Sequence, residues 1–375
     1  MLIDASVGVV DIVERMHRTI QESPGPFGKP VHAATRGVTG RIYRGIRGGM
    51  RLVGRSLDVS IGSVEGLLQE GVSTPRREIF ASMLNGVYGD YLASTGNPLA
   101  IEMCLRQEGR AALDVAEFTV LRSTVPRRKL LVLLHGLCMS DHQWLRDGHG
   151  HGTALSRELD YDPLYLRYNS GLPVAENGRQ LAVLLEQLID VWPHPLDEFV
   201  ILGHSLGGLV ARSACAIAAE QGHEWLKSLT RLVFLGTPHC GAPLERAGHG
   251  LDVLLNVTPY SAPFTRLGNT RSAGIKDLRL GTITSAVHRF VPLPTEVACY
   301  TMAATLASKR SLIGDRLTGD GLVPLHSALG QGRDKAHSLG FAQDRQWIGY
   351  KMSHLDLLHS PEVHEQLRVW LGSKE

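Results

Sequence analysis

No run of eighteen consecutive apolar residues occurs in this 375-residue chain, so the sequence predicts no transmembrane helix. Its first residues, Met1-Leu2-Ile3-Asp4-Ala5-Ser6, carry an acid and no basic lead-in to an apolar run, and do not read as a secretory signal. Neither sign of charge is in excess. The 39 Lys+Arg face 37 Asp+Glu, a net charge of +2, and no nucleic-acid motif is present, so no general affinity for nucleic acid is expected. Cysteine is scarce and odd in number: five residues, at 104, 138, 215, 240 and 299, without paired spacing. That pattern predicts reduced thiols in a cytoplasmic protein rather than a disulfide framework. Repeats and low-complexity tracts are also missing. What remains, 43% hydrophobic and 20% charged residues, is the composition of a globular chain long enough for one large α/β domain with an appendage.

The first part of the chain reads as helical. Ile3, Val7, Val10, Val13 and Ile20 recur at threes and fours up to Ser23-Pro24-Gly25-Pro26, and a second helix is predicted over 76–93. Between Arg36 and Arg55 stand six arginines and no acid. Arg41, Arg44, Arg47, Arg51 and Arg55 would share one broad helical face. The favoured reading is a solvated face of a packed helix; peripheral contact with an anionic membrane surface is the second. Four glycines between Arg41 and Arg55 weaken any isolated helix there. Residues 1–112 are therefore assigned to a helical N-terminal region, and 113–375 to a catalytic domain.

From Phe118 onward strands alternate with helices. Predicted strands are 118–121, 130–134, 164–168, the run before Ser205, 231–235 and 296–302; predicted helices are 174–191, one from Ser205 to about Glu220, and 361–371. Alternation of this kind implies a mostly parallel central sheet flanked by helices, an α/β architecture. More than fifty residues, about 241–294, separate two of the strands. Leu251, Val253, Leu254, Leu255, Val257, Tyr260 and Phe264 suit a water-excluding cap or lid, favoured here over a packed subdomain.

The chemistry centres on Phe199-Val200-Ile201-Leu202-Gly203-His204-Ser205-Leu206-Gly207, a buried strand running into a sharp turn and a small-residue helix. Glycines at 203 and 207 permit the close, strained turn that exposes a nucleophilic serine at a helix N-terminus. A serine hydroxyl needs a base, and the base an orienting acid, in the chain order serine, acid, histidine. Asp320, between Gly319 and Gly321 ahead of Pro324, and His354, before the last predicted helix, satisfy order and position. Asp315 competes for the acid and His359 for the base; Asp356 reads as structural. The oxyanion needs amides, assigned to Leu206 and, on the loop Leu134-His135-Gly136-Leu137-Cys138, to Leu137, with His135 as a support. His142, Asp147, His149 and His151 invite a metal reading, but match no established zinc spacing, and no metal or cofactor is assigned. Cys138 and Cys240 read as packing residues.

The His135-Gly136 loop, Gly203-His204-Ser205-Leu206-Gly207, Gly236-Thr237-Pro238-His239, Gly319-Asp320-Gly321-Leu322-Val323-Pro324 and the His354 loop together resemble the α/β-hydrolase fold. Within it the chain is similar to the bacterial lipase/esterase group related to PGAP1-like (GPI inositol-deacylase-like) hydrolases and triacylglycerol lipases. Tyr168-Asn169-Ser170-Gly171 and Asn177-Gly178 add to the likeness, which spans roughly 118–372. The resemblance implies a serine carboxylester hydrolase acting on small acyl esters or lipids without a cofactor. The rival readings are an acyltransferase or thioesterase with the same triad, and a membrane-peripheral binding protein with a vestigial hydrolase core. It does not explain the N-terminal region.

Overall fold

The computed structural model describes residues 75–107, 127–242, 272–286, 290–308, 319–332 and 335–373. In chain order these form α1 (Pro75–Ser94), β1 (Cys104–Arg106), β2 (Lys129–Leu134), α2 (His151–Leu159), β3 (Tyr161–Arg167), α3 (Val174–Asp190), β4 (Glu198–His204) and α4 (Leu206–Gln221). They continue through β5 (Arg231–Leu235), α5 (Ala273–Leu280), β6 (Ala298–Thr305), β7 (Gln346–Tyr350) and α6 (Pro361–Gly372). The predicted strand at 118–121, the helices before residue 75 and the Arg41–Arg55 stretch lie outside the described residues. None of the described helices is long and apolar enough to cross a membrane.

The seven strands lie in the order β1-β3-β2-β4-β5-β6-β7, with β1 antiparallel to β3 and every other neighbouring pair parallel. Helices cover both faces, which is why Leu130 to Leu134 can be an unbroken apolar run. The two-residue period of the strand then splits that run. Leu130, Val132 and Leu134 join the core beneath α1, α3, α4 and α5. Leu131 and Leu133 join the opposite core, with Leu155 of α2 and Val363, Leu367 and Leu371 of α6. This is the α/β-hydrolase fold.

Strand β2 is flanked by β3 on one side and β4 on the other, so the chain leaves it in one direction and later crosses to its far edge. In an open parallel sheet the carboxyl ends of the strands at such a switch point are the usual place for a ligand.

Two elements attach the N-terminal region to this sheet. Strand β1 pairs with β3 through Cys104↔Arg167 to Arg106↔Tyr165, and α1 contributes Ile79, Met83 and Val87 to the core. A boundary at 112 thus falls after two elements that pack into the catalytic domain; short β1 lacked the length and periodicity to be legible. Ion pairs reinforce the junction: Glu78 of α1 meets Arg106 at 2.6 Å, His142 at 2.7 Å and Arg167 at 3.1 Å.

Helices α3 and α4 pack closely enough that Gly178 has no room for a side chain. A Cβ there would lie 2.2 Å from Ser213 Oγ and 2.5 Å from its Cβ. Gly178→Ala should therefore lower unfolding stability by about 1–3 kcal/mol despite the better helix propensity of alanine. A urea titration in which the variant is as stable as the parent would show that the two helices can move apart at no cost.

Candidate active site

Strand β4 delivers its last residue into a turn whose geometry is sterically imposed. A Cβ on Gly203 would lie 2.7 Å from Gly208 Cα, and one on Gly207 would lie 2.5 Å from Leu134 O. Between them Ser205 adopts φ 54°, ψ −121°, a strained conformation for a residue with a side chain. Its amide donates to Leu235 O at 2.8 Å, prolonging the β4–β5 ladder into the turn. The serine side chain does not cap α4, which begins at Leu206. The first amides of that helix have no acceptor inside the helix, and its dipole favours negative charge at this end.

Asp320 and His354, separated by 34 positions, are brought together at the ends of β6 and β7. His354 Nδ1 donates to Asp320 Oδ2 at 2.7 Å, both side chains being buried. The acid is held from its own turn, Oδ1 accepting the amides of Leu322 at 2.9 Å and Val323 at 2.7 Å. Gly319 is required in that turn, since a Cβ would meet Val323 O at 2.0 Å and φ is +46°. The histidine main chain is gripped at both polar groups: its amide donates to Asp320 O at 3.1 Å, and its carbonyl accepts from His204 Nε2 at 3.2 Å. The rings of His204 and His354 lie 4.7 Å apart, which brings the histidine loop against the residue before Ser205. Nε2 of His354 is buried and makes no hydrogen bond.

The loop after β2 crosses the same spot. A Cβ on Gly136 would come within 3.2 Å of Ser205 Cβ and 3.1 Å of His204 Nδ1. Cys138, at φ 58°, has its amide committed to Ser170 Oγ at 3.0 Å. Burial pushes the Cys138 thiol up to about 12, which makes it a packing group rather than a nucleophile. His135 supports the loop as expected: it stacks on Tyr168 with centroids 4.3 Å apart, and Tyr168 donates from its hydroxyl to His135 O at 2.7 Å.

The competing residues fall elsewhere. His359 pairs with Asp147 at 3.3 Å, not with Asp320. Asp315 lies outside the described residues. His142 belongs to the Glu78 ion-pair network, apart from His149 and His151. In the 241–294 interval, residues 243–271 and 287–289 lie outside the described residues. Its helix α5 is fixed in place: Ser272 Oγ donates to Gly86 O at 2.7 Å, and Asp277 accepts the Val174 amide at 2.8 Å.

Sequence reasoning missed the supporting residues. His204 sits inside the recognised motif, yet its role depends on a contact 150 positions away. Arg212, on α4, is buried and donates from Nη2 to Val291 O at 2.7 Å, while Nη1 lies 3.5 Å from His239 Nδ1. Burial draws this guanidinium down to about 10. A lone arginine in an alanine-rich helix was the available signal.

Burial also governs the imidazoles around the site. Loss of hydration draws His135 down to about 4, and His204 and His239 well below the ordinary histidine value, so all three are neutral in the folded protein near pH 7. The unfolded chain takes up these protons near pH 6.5 and the folded chain does not. Stability therefore falls as pH drops below that value, by up to about 1.4 kcal/mol per unit for each histidine. Urea midpoints measured from pH 7.5 to 5.0, above the carboxylate range, should decline steadily; a flat profile would show that these imidazoles are protonated in the fold.

Residues 130–297 match the family model described as PGAP1-like alpha/beta domain. No curated protein matches the chain. Among solved structures, the mature Bacillus licheniformis lipase BlEst2 is 15% identical, with a TM-score of 0.45 over 72% of this chain and 98% of its own. The Pyrobaculum calidifontis esterase is 13% identical, with a TM-score of 0.42 over 67% of this chain and 76% of its own. The NocB thioesterase domain is 14% identical, with a TM-score of 0.38 over 65% of this chain and 95% of its own. The sheet and the serine turn are those of an α/β-hydrolase-fold protein, and its residues 130–297 are similar to the PGAP1-like alpha/beta domain family.

Proposed function

We propose that the protein is a serine carboxylic ester hydrolase with Ser205, His354 and Asp320 as its triad. The observation that carries this reading is the buried His354–Asp320 hydrogen bond, which leaves Nε2 of the same imidazole uncommitted beside a strained serine turn. The carboxylate can only accept, so the ring nitrogen facing it carries a proton, and Nε2 is left to act as base. Ser205 Oγ attacks the acyl carbonyl while His354 Nε2 takes its proton, and Asp320 stabilises the imidazolium. The amides of Leu137 and Leu206 receive the oxyanion. On collapse of the intermediate, His354 returns the proton to the departing alcohol, leaving an acyl-enzyme that water opens by the same route.

A small acyl ester or lipid is the substrate class that this triad suits, and we place the reaction in the cytoplasm, with the Arg41–Arg55 stretch as the candidate contact with a membrane surface. Thioester cleavage and acyl transfer would use the same groups. A vestigial core is disfavoured by the strained serine standing beside a buried, uncommitted imidazole nitrogen, since backbone strain of this kind clusters at functional sites.

Hydrolysis of a p-nitrophenyl ester series from acetyl to palmitoyl tests the reading. Ser205→Ala should abolish nearly all turnover with the circular dichroism spectrum unchanged, and Asp320→Asn should lower kcat by about 10⁴-fold through the wrong tautomer. Undiminished activity in Ser205→Ala would remove the serine from the mechanism. Preference for thioesters, or ester exchange with added alcohols outrunning hydrolysis, would move the assignment to the alternatives.

A further inference from the structure

On the sheet face opposite α4, three imidazoles meet. His149 precedes α2, His151 begins it, and His364 lies on α6, which packs against α2. One ring nitrogen from each lies within 4.8 Å of the other two. The rings of His151 and His364 are parallel, 5.7 Å apart, and His149 stands edge-on to both at 5.0 and 4.9 Å.

The outer contacts determine which nitrogens carry protons. His151 Nε2 lies 3.0 Å from the carbonyl of Leu357, and His364 Nε2 lies 3.0 Å from Glu158 Oε2. A carbonyl and a carboxylate can only accept, so each Nε2 carries a proton, and each Nδ1 is the nitrogen turned towards the cluster. His151 Nδ1 faces His149 Nε2 at 3.1 Å. His364 Nδ1 is buried and has no hydrogen bond.

An imidazole whose far N–H is held by a carbonyl or carboxylate is the usual arrangement of a metal-ligating histidine. The separation of 3.1 Å between the facing nitrogens is close to the edge of about 3.4 Å expected for a tetrahedron with metal–nitrogen bonds of about 2.1 Å. We propose that His149, His151 and His364 form a binding site for one divalent transition metal of the zinc class, oriented by Leu357 O and Glu158. Three neutral nitrogen donors suit zinc, cobalt, nickel or copper, and exclude magnesium and calcium, which need oxygen. The remaining coordination position would take water.

Another cluster with ligand chemistry, Glu78, Asp141 and His142, is not such a site, because Arg106 and Arg167 already neutralise it. Nor do the three histidines touch the proposed catalytic groups directly. His151 holds Leu357, three residues beyond His354, so a bound ion would clamp α2 and α6 behind the histidine loop. Its role would be structural.

The test uses the full chain without an affinity tag, stripped with chelator and titrated calorimetrically with zinc chloride. One ion per chain should bind and raise the thermal midpoint, and cobalt(II) should give the strong visible absorption of a tetrahedral site. Glu158→Gln should weaken zinc binding about tenfold through loss of orientation. His149→Asn, at a half-buried position, and His364→Gln should each weaken it about a hundredfold or more and abolish the cobalt band. No stoichiometric binding to the stripped parent, or unchanged cobalt spectra in both ligand variants, would overturn the proposal. These readouts are independent of esterase turnover.

Discussion

The site depends on how closely α4 approaches the sheet. Three successive contacts forbid a side chain: Gly203 against Gly208 Cα at 2.7 Å, Gly207 against Leu134 O at 2.5 Å, and Gly208 against Thr237 Oγ1 at 1.9 Å, each measured to a built Cβ. With the helix pressed against β2 and β4 in this way, the connecting residue has to reverse direction within one position, and Ser205 takes the positive φ that results. Such a conformation costs on the order of 1–3 kcal/mol and persists only where its surroundings over-determine it. Here they do: the flanking strands and the first two turns of α4 are almost entirely buried, and the cross-strand bond from Ser205 N to Leu235 O fixes the turn from the other side.

The groups around the serine are built in the same manner, through main-chain contacts between elements distant in sequence. Past the end of β7, Lys351 and Met352 donate to Ala307 O and Thr305 O, carrying the histidine loop along β6 towards the acid. The loop after β2 is pinned between Ser170, which takes the Cys138 amide, and α1, whose Gly86 leaves only 2.2 Å between a built Cβ and Cys138 Sγ. Helix α1 is thus part of the scaffold that holds this loop. Asn169 strengthens the link, donating to Gly89 O and accepting from Gly171 N. The conformation of one loop beside Ser205 is therefore set by residues from 86 to 171.

Legibility in the sequence followed the range of the interactions. The long elements announced themselves through local pattern: α3 came within a residue of its predicted end, and the β2, β4 and β5 runs were strands because every residue in their interior is buried. The serine turn was legible because its glycines, serine and flanking strand are contiguous. Asp320 and His354 were legible through chain order and turn composition, and the structure brings the two together. Strands β1 and β7 were missed: three and five residues, carrying Arg106 and only partly buried Gln346, Trp347 and Ile348, show no clear apolar period. The three-histidine cluster was half legible. His149 and His151 stood out with His142, but His142 turns away to Glu78 while His364, 213 positions after His151, completes the group. No spacing rule can express a partner supplied by another helix.

Leu357 shows why the two sheet faces cannot be treated as independent. Its carbonyl accepts from His151 on the α2–α6 side, while its side chain lies 2.8 Å from where a Cβ of Gly236 would stand, next to the His354 ring. Gly236 has φ +58°, so a side chain there would be both strained and in collision with that ring. The histidine loop is consequently confined from the front by the β5 turn and from behind by the start of α2. With its amide bound to Asp320 O, its carbonyl to His204 and its ring to Asp320 Oδ2, His354 keeps no backbone or side-chain torsion that can change without breaking a buried contact. In the base role proposed for it, His354 would gain from such confinement, since little orientational entropy is left to lose when substrate arrives.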